Sequence, residues 1–268
     1  MRSAVKALAA AGVGAATTRA ALHALRKWPP GGADRWHRTN YAGRSVTRLA
    51  GPAYTTGVVV ASLLLPAPAR MRAAMAVAAG TAGAVGVYDD LAGDQDTRGL
   101  AGHLGALRRG EVTTGAVKIL GLGFAGITAG ALVHRDPRDA VSAAITVAAA
   151  ANAVNLLDLR PGRALKSGLV LGLAGIGGPA AVPAAGAFGA AAALLPDDLA
   201  ERVMLGDGGA GAFGAAVGVA IAAGASRRGL RRIALALSAV NVASELVSFS
   251  SVISAVPPLR AFDEWGRR

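Results

Sequence analysis

Long apolar runs separated by short polar segments dominate this chain of 268 residues. A membrane span needs about 20 mostly apolar residues, and somewhat fewer where glycine and alanine pack helices closely. Nine runs approach that length, near residues 4–25, 49–66, 71–88, 113–133, 139–157, 165–178, 179–195, 207–225 and 230–250. The sixth and seventh runs are short and meet at Gly177-Gly178-Pro179. The pattern predicts an all-α, polytopic integral membrane bundle of about nine transmembrane helices, with one domain over residues 1–268.

The composition agrees with a membrane protein. Hydrophobic residues make up 53% of the chain and charged residues 16%, whereas a soluble domain carries roughly 25% charged residues. Disordered chains are charge-rich and apolar-poor, so disorder is excluded. The absence of cysteine rules out disulfides, thiolate metal sites and a cysteine nucleophile. The first run follows Arg2 and Lys6, and a signal peptide is the less favoured alternative there because the run continues into a basic loop.

The net charge of +12 is compatible with nucleic acid binding, but loop basic residues of a membrane protein explain it better. With nine spans, one set of loops comprises residues 26–48, 89–112, 158–166, 196–206 and the tail 257–268. This set carries sixteen Lys and Arg residues against ten in the opposite set. The positive-inside rule therefore predicts that it is cytoplasmic, in a multi-pass plasma membrane protein, although a cluster of four arginines at 227–232 points the other way.

Acidic residues are distributed still more unevenly. Thirteen of the sixteen Asp and Glu residues gather on the predicted cytoplasmic side, twelve of them in its loops and Asp207 at the first position of the eighth predicted span. Acidic residues contribute little to membrane orientation, so topology does not require this clustering. We therefore expect the chemistry of the protein to lie on its cytoplasmic face.

The first acidic cluster, Asp89-Asp90, ends the third predicted span. Paired carboxylates at a membrane edge suit Mg²⁺, which takes hard oxygen ligands and often shares them with substrate phosphates. The alternative is a solvated helix end. Lys118 lies inside the fourth predicted span, where it either extends to the membrane surface or neutralises a phosphate in a cavity.

The second cluster, Asn152, Asn155 and Asp158, has a spacing of three residues and therefore follows one stripe of a helix. Polar side chains in line on a spanning helix are costly unless they face partners or a wet cavity. A binding site is the favoured interpretation, and hydrogen bonding between helices is the alternative.

The third cluster places Asp207 among glycines at the start of the eighth predicted span. Glycine lets the backbone approach a ligand, and a helix N-terminus offers free N–H groups to an anion. A simple N-cap is the alternative for Asp207. In the basic loop 35–44, Arg38 is a candidate for binding either a substrate phosphate or an anionic lipid headgroup.

Together these segments resemble the polyprenyl-phosphate sugar-1-phosphate transferases, the superfamily of the MraY and WecA enzymes. Gly86-Val87-Tyr88-Asp89-Asp90 is similar to the Asp-Asp signature of the family, and residues 152–158 (NAVNLLD) to its Asn-Ala-Val-Asn-Leu-Thr-Asp motif. Leu205-Gly206-Asp207 is similar to its Met-Gly-Asp motif, and Lys118 falls where members carry a lysine. The resemblance runs in order from about residue 35 to residue 214.

The resemblance implies a Mg²⁺-dependent transfer of a sugar-1-phosphate from a nucleoside diphosphate sugar to a polyprenyl phosphate, in synthesis of a cell-envelope glycan such as peptidoglycan. It implies metal binding by Asp90 and Asp207, and orientation or deprotonation of the lipid phosphate by Asp89. It also implies substrate binding by a further set of polar residues, namely Asn152, Asn155, Asp158, Lys118 and Arg38. All four aspartates should then converge at one cytoplasmic cleft, while a homodimer stays an open alternative.

The chain also departs from the family pattern. Leu159-Arg160-Pro161-Gly162-Arg163 stands where the family has Gly-Leu-Asp-Gly, and Asp197 or Asp198 replaces an asparagine near the nucleoside base. The histidine cluster of the family is missing. These changes keep a second hypothesis open, namely an inactive descendant that binds polyprenyl phosphate or an envelope-assembly partner. A transporter is disfavoured because the acidic residues lie at span ends, and a CDP-alcohol phosphotransferase because its Asp-Gly-x-x-Ala-Arg run is absent.

Overall fold

A computed structural model describes residues 2–40, 42–93, 102, 105–106, 108–175 and 177–267. These residues form eleven α-helices and one antiparallel hairpin of β1 (His37–Thr39) and β2 (Ser45–Thr47). The helices are α1 (Arg2–Lys27), α2 (Ala50–Leu64), α3 (Ala69–Ala92), α4 (Thr114–Val133), α5 (Pro137–Leu157), α6 (Arg163–Gly172), α7 (Ala181–Leu199), α8 (Gly206–Gly224), α9 (Arg227–Ser244), α10 (Phe249–Ala255) and α11 (Pro257–Glu264).

The prediction of an all-α fold is confirmed, since each of the nine apolar runs contains a helix. Helix length and composition support fewer membrane crossings than the nine predicted. Three described helices, α4, α5 and α8, are long and apolar enough to cross a membrane, and α9 together with α10 would make a fourth. The other helices are shorter or less apolar. For example, α6 has 10 residues and spans about 15 Å, half of the ~30 Å hydrocarbon core.

The ninth predicted run does not form one straight helix. Helix α9 ends at Ser244, and α10 begins at Phe249 after a bend of 98°. Polar residues lie at the break, where Ser244 Oγ donates a hydrogen bond of 2.6 Å to the carbonyl of Asn241. The predicted run over residues 230–250 is therefore one continuous helix only as far as Ser244. The bend carries α10 and α11 back toward α6.

Helix α8 is the centre of the bundle, and small residues make that position possible. All of its residues from Gly208 to Ala222 are buried, and most of them are glycine or alanine. A Cβ atom on Gly214 would lie 2.4 Å from the carbonyl oxygen of Ala150, and one on Gly86 would lie 2.3 Å from that of Asp207. The neighbouring helices thus pack backbone to backbone against α8. This packing places Asp207, at the start of α8, next to the end of α3.

Close packing of α1 against α7 gives a first testable prediction. A Cβ atom on Gly14 would lie 1.8 Å from the carbonyl oxygen of Gly186, whereas Gly12 has no atom within 4 Å of the equivalent position. We expect Gly14→Ala to destabilise the protein by about 1–3 kcal/mol or more, because the two helices must move apart. Gly12→Ala should be neutral or slightly stabilising, since alanine favours the helix. Thermal unfolding of both variants in detergent measures the difference, and equal melting temperatures would contradict the packing.

Candidate functional site

A cavity of about 580 Å³ opens where α3 and α5 end and α8 begins. Residues from the hairpin, from the loops after α5 and α7, and from α10 complete its wall. Six carboxylates line it, those of Asp89, Asp90, Asp158, Asp198, Glu201 and Asp207, together with two arginines, Arg38 and Arg160. The structure therefore brings together the four aspartates that were expected to converge. Their individual roles stay predictions.

Lys118 connects two of these aspartates across three helices. Its Nζ atom lies 2.6 Å from Oδ2 of Asp207 and 3.3 Å from Oδ2 of Asp89. The lysine side chain is only 12% exposed, so the ion pairs are poorly screened by solvent. Lys118 thus places one positive charge between the end of α3 and the start of α8. The sequence left two alternatives for Lys118, a cavity and the membrane surface. The side chain faces the cavity aspartates and does not extend to the membrane surface.

Asp90 is held differently from its neighbour Asp89. Its Oδ2 atom accepts a hydrogen bond of 3.1 Å from the backbone N–H of Gly208, and Oδ1 lies 3.3 Å from a guanidinium nitrogen of Arg48. Gly206 adopts a left-handed φ of +62°, and a Cβ atom there would lie 2.7 Å from Asp90 Oδ2. The glycine before Asp207 is therefore required for the close approach of α8 to Asp90. Sequence reasoning gave no signal for Arg48.

The polar stripe on α5 divides into two parts. Asn152 donates a 2.5 Å hydrogen bond to Oδ1 of Asn241, which in turn donates to the carbonyl of Ala149. Asn152 therefore joins α5 to α9 by hydrogen bonds between helices, the alternative to a binding site that the sequence left open. Farther along the stripe, Oδ1 of Asn155 and Oδ2 of Asp158 are buried and accept no hydrogen bond from the described residues. Asp158 lines the cavity, so this end of the stripe remains a candidate for substrate binding.

The environment of Asp158 gives a prediction about stability and pH. Burial, followed by the negative charges of Asp198, Asp207 and Asp90, raises the pKa of Asp158 well above its ordinary value. The folded protein therefore holds this proton more tightly than the unfolded chain does. The corresponding stability is present at low pH and is lost as pH rises through the raised pKa.

We expect Asp158→Asn to stabilise the protein at neutral pH, because the amide is uncharged in the same volume. Melting temperatures of the variant and the wild type, measured from pH 4 to pH 8, should separate increasingly as pH rises. A constant difference across this range would show that Asp158 does not titrate as inferred.

The hairpin is fixed over the cavity by Glu201. This residue has a φ of +54°, which is unusual for a side chain other than glycine. Its carboxylate accepts a 2.5 Å hydrogen bond from Asn40 and forms a 3.1 Å ion pair with Arg44. Arg38 lies on the same hairpin and lines the cavity. Glu201 is one of the acids on the predicted face, and no sequence motif assigns it a role.

Asp197 and Asp198, one of which was expected at the position of a family asparagine, have different surroundings. Asp197 forms ion pairs with Arg19 and Arg202. Asp198 lines the cavity, and its Oδ2 atom accepts a 2.7 Å hydrogen bond from the backbone N–H of Gly162. Asp198 therefore holds the loop after Asp158 in place, and it is the member of the pair that lines the cavity.

A second cavity of about 540 Å³ is almost entirely apolar. It lies between α5, α6 and α9 on one side and the C-terminal helices α10 and α11 on the other. Arg163 lines this cavity and donates a 3.0 Å hydrogen bond to Ser250 Oγ, and Ser250 lines the first cavity. A polar and an apolar cavity are thus close neighbours.

Among the described residues, no group of three or more His, Asp or Glu side chains is arranged to hold a metal ion. Pairs of carboxylates are nevertheless present in the first cavity, and Mg²⁺ is commonly held by one or two carboxylates together with substrate phosphates. No family model matches the chain, and no curated protein is significantly similar to it.

Proposed function

We propose that this protein transfers a sugar-1-phosphate from a nucleoside diphosphate sugar to a polyprenyl phosphate at the cytoplasmic face of the plasma membrane. The observation that carries the proposal is the convergence of Asp89, Asp90, Asp158 and Asp207 at one cavity. These residues lie in three separate segments of the chain, each of which resembles a motif of the polyprenyl-phosphate transferases.

The two neighbouring cavities support an amphiphilic substrate. A polyprenyl phosphate has a charged head and a long apolar tail, and it needs a polar site next to an apolar one. The first cavity offers two arginines for phosphate, and Lys118 pairs with two of the aspartates that line it. The second cavity offers mostly apolar side chains for the tail. The six carboxylates are too many for a site that binds anions alone, which favours a cation as a third component.

The residues at the cavity fit Mg²⁺ as a shared ligand of protein and substrate. Asp207 is 35% exposed and presents a carboxylate to the cavity, as does Asp89. In the proposed reaction Asp207, with Asp90 at the adjoining helix end, would hold the ion, which would supply positive charge to the diphosphate. Both oxygens of Asp90 already have donors, so its contribution is to fix the start of α8 as much as to bind metal.

The chemistry requires one bond to form and one to break. An oxygen of the polyprenyl phosphate attacks the sugar-linked phosphorus of the donor, and the bond to the nucleoside phosphate breaks. The products are a polyprenyl diphosphate sugar and a nucleoside monophosphate. In this proposal Asp89 orients the lipid phosphate, Lys118 and Arg38 neutralise phosphate charge, and Asn155 with Asp158 holds the donor. Catalysis of this type depends mainly on positioning and on electrostatic stabilisation.

Location in the plasma membrane, with nine crossings, belongs to the same proposal. The apolar helices α4, α5 and α8 support a membrane location. The cavity lies at the end of the bundle that carries the larger number of basic loop residues, which supports a cytoplasmic active face.

The test is an assay of membranes that contain the full-length protein, undecaprenyl phosphate and a panel of nucleoside diphosphate sugars. We expect Mg²⁺-dependent release of nucleoside monophosphate, and its loss in Asp90→Asn and Asp207→Asn. Arg108→Gln, an exposed change outside the described cavity lining, serves as a control that retains activity. Activity that survives both aspartate substitutions would overturn the assignment.

One observation favours the second candidate function, a non-catalytic binding protein. Lys118 already neutralises Asp89 and Asp207, and Arg48 already pairs with Asp90, so the site is partly satisfied without a metal. Such a protein should bind undecaprenyl phosphate at the same cavity without turning over any donor in the panel. Binding of the lipid with no release of nucleotide would therefore support this candidate.

A further inference from the structure

Helix α9 has two faces that carry arginines for different purposes. On the inner face, Arg227 Nε lies 2.9 Å from Oδ2 of Asp139, and Arg231 lies 3.7 Å from Oδ1 of the same residue. Asp139 is 2% exposed, and Leu230 and Leu237 pack on the same side. These contacts fix the start of α9 against the start of α5. They also account for Arg227 and Arg231, two of the four arginines at 227–232 whose position opposes the predicted orientation.

The outer face of α9 has no such partners. Arg228 and Arg232 are exposed and form no ion pair with the described residues. Leu235, Ala239 and Val242 continue the same stripe at helical spacing. Leu235 is 73% exposed and Val242 is 65% exposed. The stripe therefore begins with two cations and continues as an apolar strip.

We propose that this outer stripe of α9 binds an anionic phospholipid lengthwise. The lipid phosphate lies on Arg228 and Arg232, and an acyl chain follows Leu235 and Val242. Guanidinium groups match the geometry of phosphate oxygens, and an arginine pair four residues apart presents two of them on one side of the helix. The fourteen residue steps from 228 to 242 span about 21 Å. One leaflet of the hydrocarbon core measures about 15 Å, so the stripe accommodates a headgroup and one chain.

Charge favours a lipid over a second copy of this chain on the stripe. Two copies packed in parallel through α9 would bring Arg228 and Arg232 against their own equivalents. Like charges at close range oppose such contact, whereas an anionic headgroup neutralises them. The ion pairs of Asp139 already hold the backbone of this turn in place, so little conformational entropy is lost when a lipid binds. This inference depends on a membrane location but not on the proposed transferase activity.

Full-length protein in a neutral detergent tests the proposal, with fluorescent phosphatidylglycerol as the probe and phosphatidylcholine as the uncharged competitor. We expect saturable binding of phosphatidylglycerol that phosphatidylcholine does not displace. The double substitution Arg228→Gln with Arg232→Gln should weaken it on the order of tenfold or more. Leu235→Gln should weaken binding of a long-chain phosphatidylglycerol but leave that of a six-carbon analogue unchanged.

The matched control is Arg135→Gln with Arg138→Gln, which removes the same charge at the same end of the bundle but off the stripe. This variant should bind phosphatidylglycerol as the wild type does. Equal weakening in both double variants would show a diffuse surface charge and overturn the proposal. A change in oligomeric mass of the 228/232 variant, without a change in lipid binding, would assign the stripe to a protein contact and overturn it as well.

Discussion

In the proposed transferase reaction, Lys118→Met should lower the turnover of nucleoside diphosphate sugar by about 100-fold to 1000-fold, an effect of the size seen when one preorganised donor is removed from an active site. Lys118 contributes the positive charge between Asp89 and Asp207, at 3.3 Å and 2.6 Å from their oxygens. Without it, two carboxylates repel each other in a poorly solvated site, and the phosphate loses a counter-charge. Release of nucleoside monophosphate by reconstituted membranes measures the loss.

The same variant has a second consequence that does not need an active wild-type enzyme. Removing the lysine leaves both carboxylates without their cation, so a divalent ion should bind more tightly. Titration of the purified protein with Mn²⁺, followed by electron paramagnetic resonance, should show a lower dissociation constant for Lys118→Met than for the wild type. Lys27→Met, an exposed change at the end of α1, should leave both readouts unchanged. Wild-type turnover in Lys118→Met would contradict a role for the lysine in the reaction.

Asp263→Asn should destabilise the folded protein by about 3–5 kcal/mol, the cost of leaving a buried charge without its partner. The Asp263 carboxylate accepts two hydrogen bonds from Arg163, at 2.7 Å and 2.9 Å, and also pairs with Arg267. Arg163 and Asp263 are 2% and 4% exposed. The substitution should release the C-terminal helices α10 and α11, which form one wall of the apolar cavity. Thermal unfolding and protease sensitivity of the tail measure the two effects.

Two controls separate the ion pair from the tail as a whole. Glu264→Gln changes an exposed neighbour and should have little effect. Replacing both Arg163 and Asp263 by leucine should recover much of the free energy of unfolding that Asp263→Asn loses, because an apolar pair avoids the desolvation cost. A double variant as unstable as Asp263→Asn would mean that the charges themselves are required.

The same ion pair predicts the response to acid. Burial would raise the pKa of Asp263, but the hydrogen bonds from Arg163 and Arg267 outweigh it and lower the pKa to about 2. A lowered pKa means that the pair stabilises the fold fully above the ordinary aspartate pKa. That contribution is lost as pH falls through about 2. Protease protection of the tail should therefore persist to about pH 4 and then decline progressively as pH falls through about 2.

Particular residues show how far the sequence can be followed. The sequence marks four aspartates because each adjoins an apolar run: Asp89, Asp90 and Asp158 follow one, and Asp207 begins one. In a bundle of alternating helices, these ends of α3 and α5 and this start of α8 lie on the same side. Arg48 and Glu201 were not recognisable as site residues, because an arginine before a helix and a glutamate in a loop are common on any surface. Their roles depend on contacts with Asp90 and with Asn40 that join distant segments.

The sequence by itself determined the helical class, the approximate position of every long helix and the face on which the acidic residues gather. Those features follow from local apolar periodicity and from the alternation of loops between two sides. Only the tertiary structure decided that α9 ends at Ser244, that Asn152 joins two helices while Asp158 lines a cavity, and that the C-terminal helices fold back onto Arg163. The reason is physical: these outcomes depend on which backbone approaches which, and that approach is set by the small residues that surround α8.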